Sequence, residues 1–351
     1  MRDELLAIIP RLAHVRLVVV GDVFLDEYLV GKVERVSREA PIPVLEYVRR
    51  FTLAGGSANP AHNAAALGAT VHVVGLVGPD ETANELRARL ADIGVGDALA
   101  VDPQRMTTLK TRVMAEGTLV FPQQVARLDR LTRAAPAPGI EQALIAQLEV
   151  LARQADAILV SDYKTGTATP AVIDACRRLG QQHGKLIAVD SQGDLPKYRG
   201  YDFIRAGARD AEASVGMALD SNAAFEQATR RLVRDLGARI VAIGRAEEGL
   251  SLGWDDQYAL LPAVNRSDVY DVTGAGDTQV AILTLALASG ASPRAAGMLS
   301  NYAAGLVVRK VGNAVPTPDE LRWAVENWRL TQPWRLRRAP ISLPPAHSSP
   351  V

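Results

Sequence analysis

The stretch Asp271-Val272-Thr273-Gly274-Ala275-Gly276-Asp277 ends a Val/Tyr-rich extended segment and opens an apolar helix expected to begin near Ala275. A carboxylate, Asp277, is thereby fixed at a helix start, where unpaired amide N–H groups and the positive end of the macrodipole attract anions. Gly274 and Gly276 carry no side chain that could block an incoming ligand, so the backbone from Gly274 through Ala275 to Gly276 reads as an anion cradle. An acid beside a bound phosphate is repelled by it unless it has its own task, and the natural task is to take the proton of an attacking hydroxyl. A helix cap behind a glycine turn is the competing reading of a bare Gly-x-Gly-Asp. Gln279 stands where a dinucleotide fingerprint needs its third glycine, and no GxxxxGK[ST] occurs, which excludes both better-known phosphate loops.

Other candidate groups lie upstream. Arg16 to Asp22 is a β-branched run closed by Gly-Asp, the pattern of a buried parallel strand that delivers an acid at the sheet edge where α/β proteins bind ligands. Asp22 and Asp26 could equally cap the turn. In Gly55-Gly56-Ser57-Ala58-Asn59, the amides of a Gly-Gly turn and the Asn59 side chain can grip hydroxyl groups before a small-residue helix. Lys110 and Arg112 are two apart in an alternating segment and so share a strand face, where two cations could meet one anion. A solvated basic strip on an edge is the alternative.

These groups need a scaffold. Strands are expected at Val71–Gly75, Ala157–Val160, Leu186–Val189, Asp202–Ile204 and Arg239–Ile243, with helices near 81–92, 139–154, 170–182 and 221–236. That alternation predicts an α/β fold with a doubly wound, mostly parallel sheet flanked by helices. Gly249–Trp254 and Tyr258–Leu261 read as an edge hairpin, and helices at 275–289, 293–308 and 317–328 close the domain. Residues 28–52 and 107–128 break the rhythm with short alternating strands, which could pair into a small separate sheet over the site. One domain over 1–330 is expected, with a Pro/Arg-containing tail at 331–351.

With 351 residues and 48% hydrophobic content, the chain can bury a large core. Lys+Arg and Asp+Glu both number 39, so nothing global favours nucleic acid or an anionic membrane, and a small-molecule partner is expected. Cys176, the only cysteine, shares an apolar helical face with Val172, Ile173 and Leu179 and reads as a buried thiol. No targeting or membrane-length segment is evident, from which a cytoplasmic location is expected.

The string from Asp271 to Asp277 resembles the C-terminal signature of the ribokinase-like (PfkB) sugar kinases. Whole-chain similarity is closest to the branch of D-glycero-β-D-manno-heptose-7-phosphate kinases that feed ADP-heptose synthesis, either free-standing or as the first domain of a bifunctional enzyme. The branch strings are Gly21-Asp22-Val23 through Tyr28, Ser37 through Val44, Lys110-Thr111-Arg112, Arg127-Leu128-Asp129, Ser161-Asp162-Tyr163 and Tyr270 through Thr273. With no nucleotidyltransferase domain following, the resemblance implies the kinase step alone. It implies ATP and Mg²⁺, Asp277 as catalytic base, and the Gly274–Gly276 amides as anion hole. Sugar contacts are implied for Asp22, Asp26, Gly55, Gly56, Asn59 and Asp162, and sugar-phosphate contacts for Lys110 and Arg112. Arg245, Glu247, Gly249 and Asn301 would flank the nucleotide, although Arg245 and Glu247 could simply form a solvated ion pair. Asp271 and Thr273 lie where many relatives bind a monovalent cation such as K⁺. The small sheet corresponds to the family's β lid, which implies a homodimer through the lid.

The chain departs from the branch around phosphate handling. Gly207-Ala208-Arg209-Asp210 replaces an Asn-x-x-Glu motif, leaving Asp210 and Glu212 as the acids available to Mg²⁺. Lys164 is shifted by one place in Ser161 to Gly166, and Asp190-Ser191-Gln192-Gly193 replaces Asp-Pro-Lys-Gly. Another PfkB-type sugar or nucleoside kinase, or a non-catalytic sugar or nucleotide sensor, therefore competes with the heptose kinase.

Overall fold

The computed structural model describes residues 1–116, 123–264, 272–310 and 312–328. Helix α1 (Arg2–Leu12) leads into β1 (Arg16–Gly21), after which β2 (Val23–Val36) and β3 (Pro43–Gly56) leave the main sheet. The chain re-enters through α2 (Ala58–Ala66), β4 (Thr70–Val77), α3 (Glu81–Asp92) and β5 (Gly96–Val101), then leaves again in β6 (Leu109–Glu116) and β7 (Gln123–Arg130). Regular alternation follows in α4 (Pro138–Ala152), β8 (Ala157–Asp162), α5 (Pro170–His183), β9 (Leu186–Ser191), β10 (Phe203–Gly207), α6 (Ala208–Val215), α7 (Asn222–Leu236) and β11 (Ile240–Gly244). A hairpin of β12 (Gly249–Trp254) and β13 (Gln257–Pro262) and three helices, α8 (Ala275–Ala288), α9 (Pro293–Val307) and α10 (Pro318–Asn327), complete it.

Nine strands form one sheet in the order β13-β12-β11-β10-β9-β8-β1-β4-β5, parallel except for the hairpin at one edge. β1 lies between β4 and β8, with Val20 opposite both Val74 and Val160. Its apolar run is buried on both faces, which is why it is continuous rather than alternating. Leu17 and Val19 point into a core made with α1, α2, α3, α8, α9 and α10. Val18 and Val20 point into a second core made with α4, α5, α6 and α7. From β1 the chain builds outward through β4 and β5, then returns to build the other way from β8, so the topological switch point lies between β1 and β8.

The two excursions do pair, in a four-stranded sheet of order β3-β2-β6-β7. Its paired strands begin earlier and run longer than the short alternating runs suggest: Val23 pairs with Gly56, and Leu109 with Arg130. A single residue, Asp22, separates β1 from β2. The sequence reading assigns no element at α1, β5 or α6, where Pro10, Asp97 and the shortness of the eight-residue α6 obscure the periodicity. Cys176 is buried as expected, and burial pushes its thiol up to about 12. Asp271, part of Tyr270 through Thr273, and the tail 331–351 lie outside the described residues. No helix among the described residues is long and apolar enough to cross a membrane.

Candidate active site

Helix α8 starts at Gly274, whose φ of 76° is the left-handed conformation that glycine adopts without penalty. A β-carbon here would stand 2.8 Å from Asn59 Nδ2, and one on Gly276 would stand 2.6 Å from an Arg205 guanidinium nitrogen. The glycines thus admit two of the protein's own side chains to the helix start. Asp277, in the first turn of α8, is gripped on both oxygens: Asn59 Nδ2 donates to Oδ2 and the Tyr163 hydroxyl to Oδ1, each at 2.7 Å. Asn59 is itself held. Asn63 Nδ2 donates to the Asn59 carbonyl at 3.0 Å, and Thr278 Oγ1 donates to Asn63 Oδ1 at 2.8 Å, which ties α2 to α8.

Burial and the neighbouring Asp190 carboxylate push the Asp277 carboxyl up to about 6, against the pull of Tyr163, Asn59 and Arg205. A carboxylate with that affinity is largely ionised at neutral pH and still a much better base than an exposed aspartate. Burial and Asp277 together raise the Tyr163 hydroxyl well above its ordinary range, so it stays a donor.

Two of the expected sugar-binding acids do other work. Asp22 is 1% exposed, and its carboxylate accepts from the backbone N–H groups of Tyr163, Thr165 and Thr167 at 2.8–3.0 Å. It shapes the loop that presents Tyr163. Asp162 is equally enclosed, accepting from Lys164 N, Tyr198 Oη and Lys197 Nζ. It ties the end of β8 to the turn Leu195–Tyr198 that follows β9.

Asp26, at the root of the lid, is different. Asn313 Nδ2 donates to its Oδ2 at 3.2 Å, and Arg112 pairs with its Oδ1. A β-carbon on Gly55 would lie 2.4 Å from Oδ2, so Gly55 is needed for this carboxylate to pack against β3, and Gly56 likewise lets β3 close on Asp22. Lys110 and Arg112 do share a face. Lys110 Nζ lies 3.5 Å from the Phe24 ring centroid and 5.2 Å from that of Tyr163, and burial lowers its pKa. Tyr163 therefore touches both the cation of the lid and the carboxylate of α8.

Arg245 is 7% exposed, stacks on Phe225 and pairs with Asn222 and Glu248, so the ion pair expected with Glu247 is made by its neighbour. Its buried Nε and Nη1 meet no acceptor. Gly249 packs on the Leu261 carbonyl, and Asn301 donates to the Leu261 and Pro262 carbonyls while accepting from Gln279. Both help to fasten β13 in place. Thr273 is exposed just ahead of Gly274.

The Mg²⁺ candidates separate too. Glu212 accepts from the Leu219 N–H at 2.8 Å and closes the end of α6. Asp210 lies 3.2 Å from where a Gly207 β-carbon would be, in the space vacated by the missing side chain. Burial raises its carboxyl, with Asp190 adding to the effect. Mg²⁺ keeps most of its water and takes one or two carboxylates with substrate phosphates, a demand that Asp190 and Asp210 fit. No cluster of three potential metal ligands exists among the described residues.

Sequence reasoning missed Tyr163 and Arg205 as site residues. Tyr163 was visible only as part of a string after a buried strand. Arg205 carried a plainer signal, a cation inside the apolar run Phe203 to Gly207.

Residues 16–320 match the pfkB family of carbohydrate kinases. The chain is 38% identical over 323 residues to the bifunctional protein HldE of Citrifermentans bemidjiense and, over the same length, to that of Caulobacter vibrioides, covering 91% of this chain in each case. It spans 65% of the length of those relatives. Among solved structures, phosphofructokinase-2 from Escherichia coli superposes with a TM-score of 0.74 at 18% identity, covering 89% of this chain and 98% of that one. Arabidopsis thaliana ribokinase complexed with ribose and ATP gives 0.70 at 19% identity, covering 89% and 99%.

Proposed function

Because the chain belongs to the pfkB family of carbohydrate kinases, we propose that it phosphorylates heptose 7-phosphate at the anomeric hydroxyl, with ATP as donor, to give heptose 1,7-bisphosphate. The observation that carries the mechanism is Asp277, held on both oxygens at a glycine-opened helix start with its carboxyl at about 6. The acceptor oxygen attacks the γ-phosphorus in line, Asp277 takes its proton, and the amides of Gly274 to Gly276 stabilise charge on the phosphoryl oxygens. Asn59 and Tyr163 keep the receiving carboxylate oriented throughout. Mg²⁺, served by Asp190 and Asp210, would neutralise the nucleotide phosphates. Arg245 and Glu247 are proposed to flank the nucleotide, and Asp271 with Thr273 a K⁺ ion, by resemblance to the family.

A phosphorylated acceptor is supported by Lys110. It is desolvated against two aromatic faces and has no carboxylate within ion-pair distance among the described residues, so an incoming anion would recover lost electrostatic energy. Homodimerisation through the lid is supported by the exposure of Val36, Tyr47 and Leu128 at 68%, 67% and 71%. A second reading, a kinase for an unphosphorylated sugar, is favoured by Arg112, which Asp26 already neutralises.

An ATP-consumption panel of free and phosphorylated sugars tests these alternatives. Heptose 7-phosphate is expected to give the highest kcat/KM. Preference for a free sugar selects the second reading, and binding without turnover of any sugar selects a sensor.

A further inference from the structure

Arg205 sits in β10 among the buried residues Phe203, Ile204 and Ala206, so its charge must be carried out of the sheet to a place that can receive it. That place is the opening of α8. A β-carbon built on Gly276 would stand 2.6, 2.8 and 2.9 Å from the two terminal nitrogens and Cζ of Arg205, and one on Gly244 would stand 3.3 Å from Nη2. Asp190 Oδ1 accepts from Nη1 at 2.9 Å, and the buried Nε meets no acceptor. A guanidinium offers five donors in a rigid fork, and a single carboxylate oxygen engages a small part of it. The rest of the group lies against Gly276 in the first turn of α8, next to Asp277.

We infer that Arg205 clamps the γ-phosphoryl group of the nucleotide during its transfer at the start of α8. The inference rests on the kinase reading above and deepens it by giving the phosphoryl group a cationic partner. As the acceptor oxygen bonds to the γ-phosphorus, the bond to the bridging oxygen of ADP breaks and ADP leaves with the electron pair. The acceptor's proton passes to Asp277. Arg205 exchanges no proton, because a guanidinium stays charged in proteins, and its role is to sit ready where negative charge accumulates. Asp190 holds one edge of the fork and thereby fixes its direction. A different role, Arg205 as a plug that occupies the anion cradle, makes the opposite prediction for turnover.

The test compares wild type with Arg205→Ala and Arg205→Lys, using calorimetric binding of Mg²⁺ complexes of ADP and of a non-hydrolysable ATP analogue, then steady-state kinetics. Arg205→Ala is expected to weaken the ATP analogue about 10- to 100-fold more than ADP, the value of losing a charge-assisted bidentate contact. Its kcat is expected to fall about 10²- to 10³-fold, with partial rescue by added guanidinium ion. Arg205→Lys keeps the charge opposite Asp190 and should lie between the two, and it decides the matter if the alanine variant does not fold. Equal loss of affinity for both nucleotides, or a rise in turnover on removing Arg205, overturns the clamp. If wild type phosphorylates no sugar while discrimination between the nucleotides still depends on Arg205, the kinase reading and the transfer role fall, and Arg205 stands as a γ-phosphate contact of a nucleotide sensor.

Discussion

The start of α8 and the root of the lid meet at Tyr163 and both carry charged groups, but these are held in place by different means. At α8, Asp277 is fixed by Asn59 and Tyr163, which are fixed in turn by Asn63, Thr278 and the loop that Asp22 organises. On the lid, Asp26 takes its ion pair from Arg112 and a long bond from Asn313, while Lys110 rests on aromatic rings. The first arrangement leaves a carboxylate with no freedom to turn. The second can exchange partners when an anion arrives. Under the proposed function, chemistry falls on the over-determined side and acceptor choice on the adjustable side.

Asp277→Asn breaks the fixed side most severely. It should keep nucleotide binding and lower kcat ~10²- to 10⁴-fold, as loss of a general base typically does. Turnover within about threefold of wild type would remove Asp277 from that role. On the adjustable side, Arg112→Ala should cost about 10- to 150-fold in kcat/KM for heptose 7-phosphate, the value of a charge-assisted bond of roughly 1.5–3 kcal/mol. The KM for ATP should stay nearly constant, and unchanged sugar-phosphate kinetics would return Lys110 and Arg112 to a merely basic strip.

A smaller effect is expected where Asp210 occupies the space of the missing Gly207 side chain. Asp210→Asn should raise the Mg²⁺ concentration for half-maximal activity roughly 10-fold, the low end of what losing an outer metal partner costs. Gly207→Asn should change it little if Asp210 already does that work, and a marked drop would show that it does not.

The smallest change sharpens the account of rigidity. Activity of wild type should fall as pH drops through about 6, where Asp277 becomes protonated. The Tyr163 hydroxyl stabilises the ionised form, so Tyr163→Phe should move this acid limb upward. A bond to a charged group contributes about 1.5 kcal/mol, equivalent to about one pH unit, so activity at pH 7 should be roughly halved by this effect alone. A limb that stays in place would assign the titration to another group.

Much of the frame was legible because periodicity is a local property: the buried runs of β1 and β8, the edge hairpin and the glycine opening of α8 all follow from neighbours in sequence. Asp277 was legible for the same reason. What a side chain meets across the sheet is not local. Asp22 ends a strand just as a ligand-binding acid would, yet three amides from a loop some 140 residues away consume it. Asn301 and Asp162 likewise meet partners, a backbone carbonyl and a tyrosine hydroxyl, whose approach is set only by the assembled layers. Arg205 shows the converse, since an arginine in a buried strand signals a special destination without naming it.

The join between β1 and β2 has a mechanical meaning. With Asp22 pinned by three amides and no loop intervening, the fourteen residues of β2 form a cantilever rooted in the main sheet. Deflection of such a beam is least at its root, where Asp26 and Tyr28 pair in register with Lys110 and Arg112, and greatest at its far end around Val36. A load on the tip is therefore felt least by the residues at the root, which β3 and β6 brace on either side.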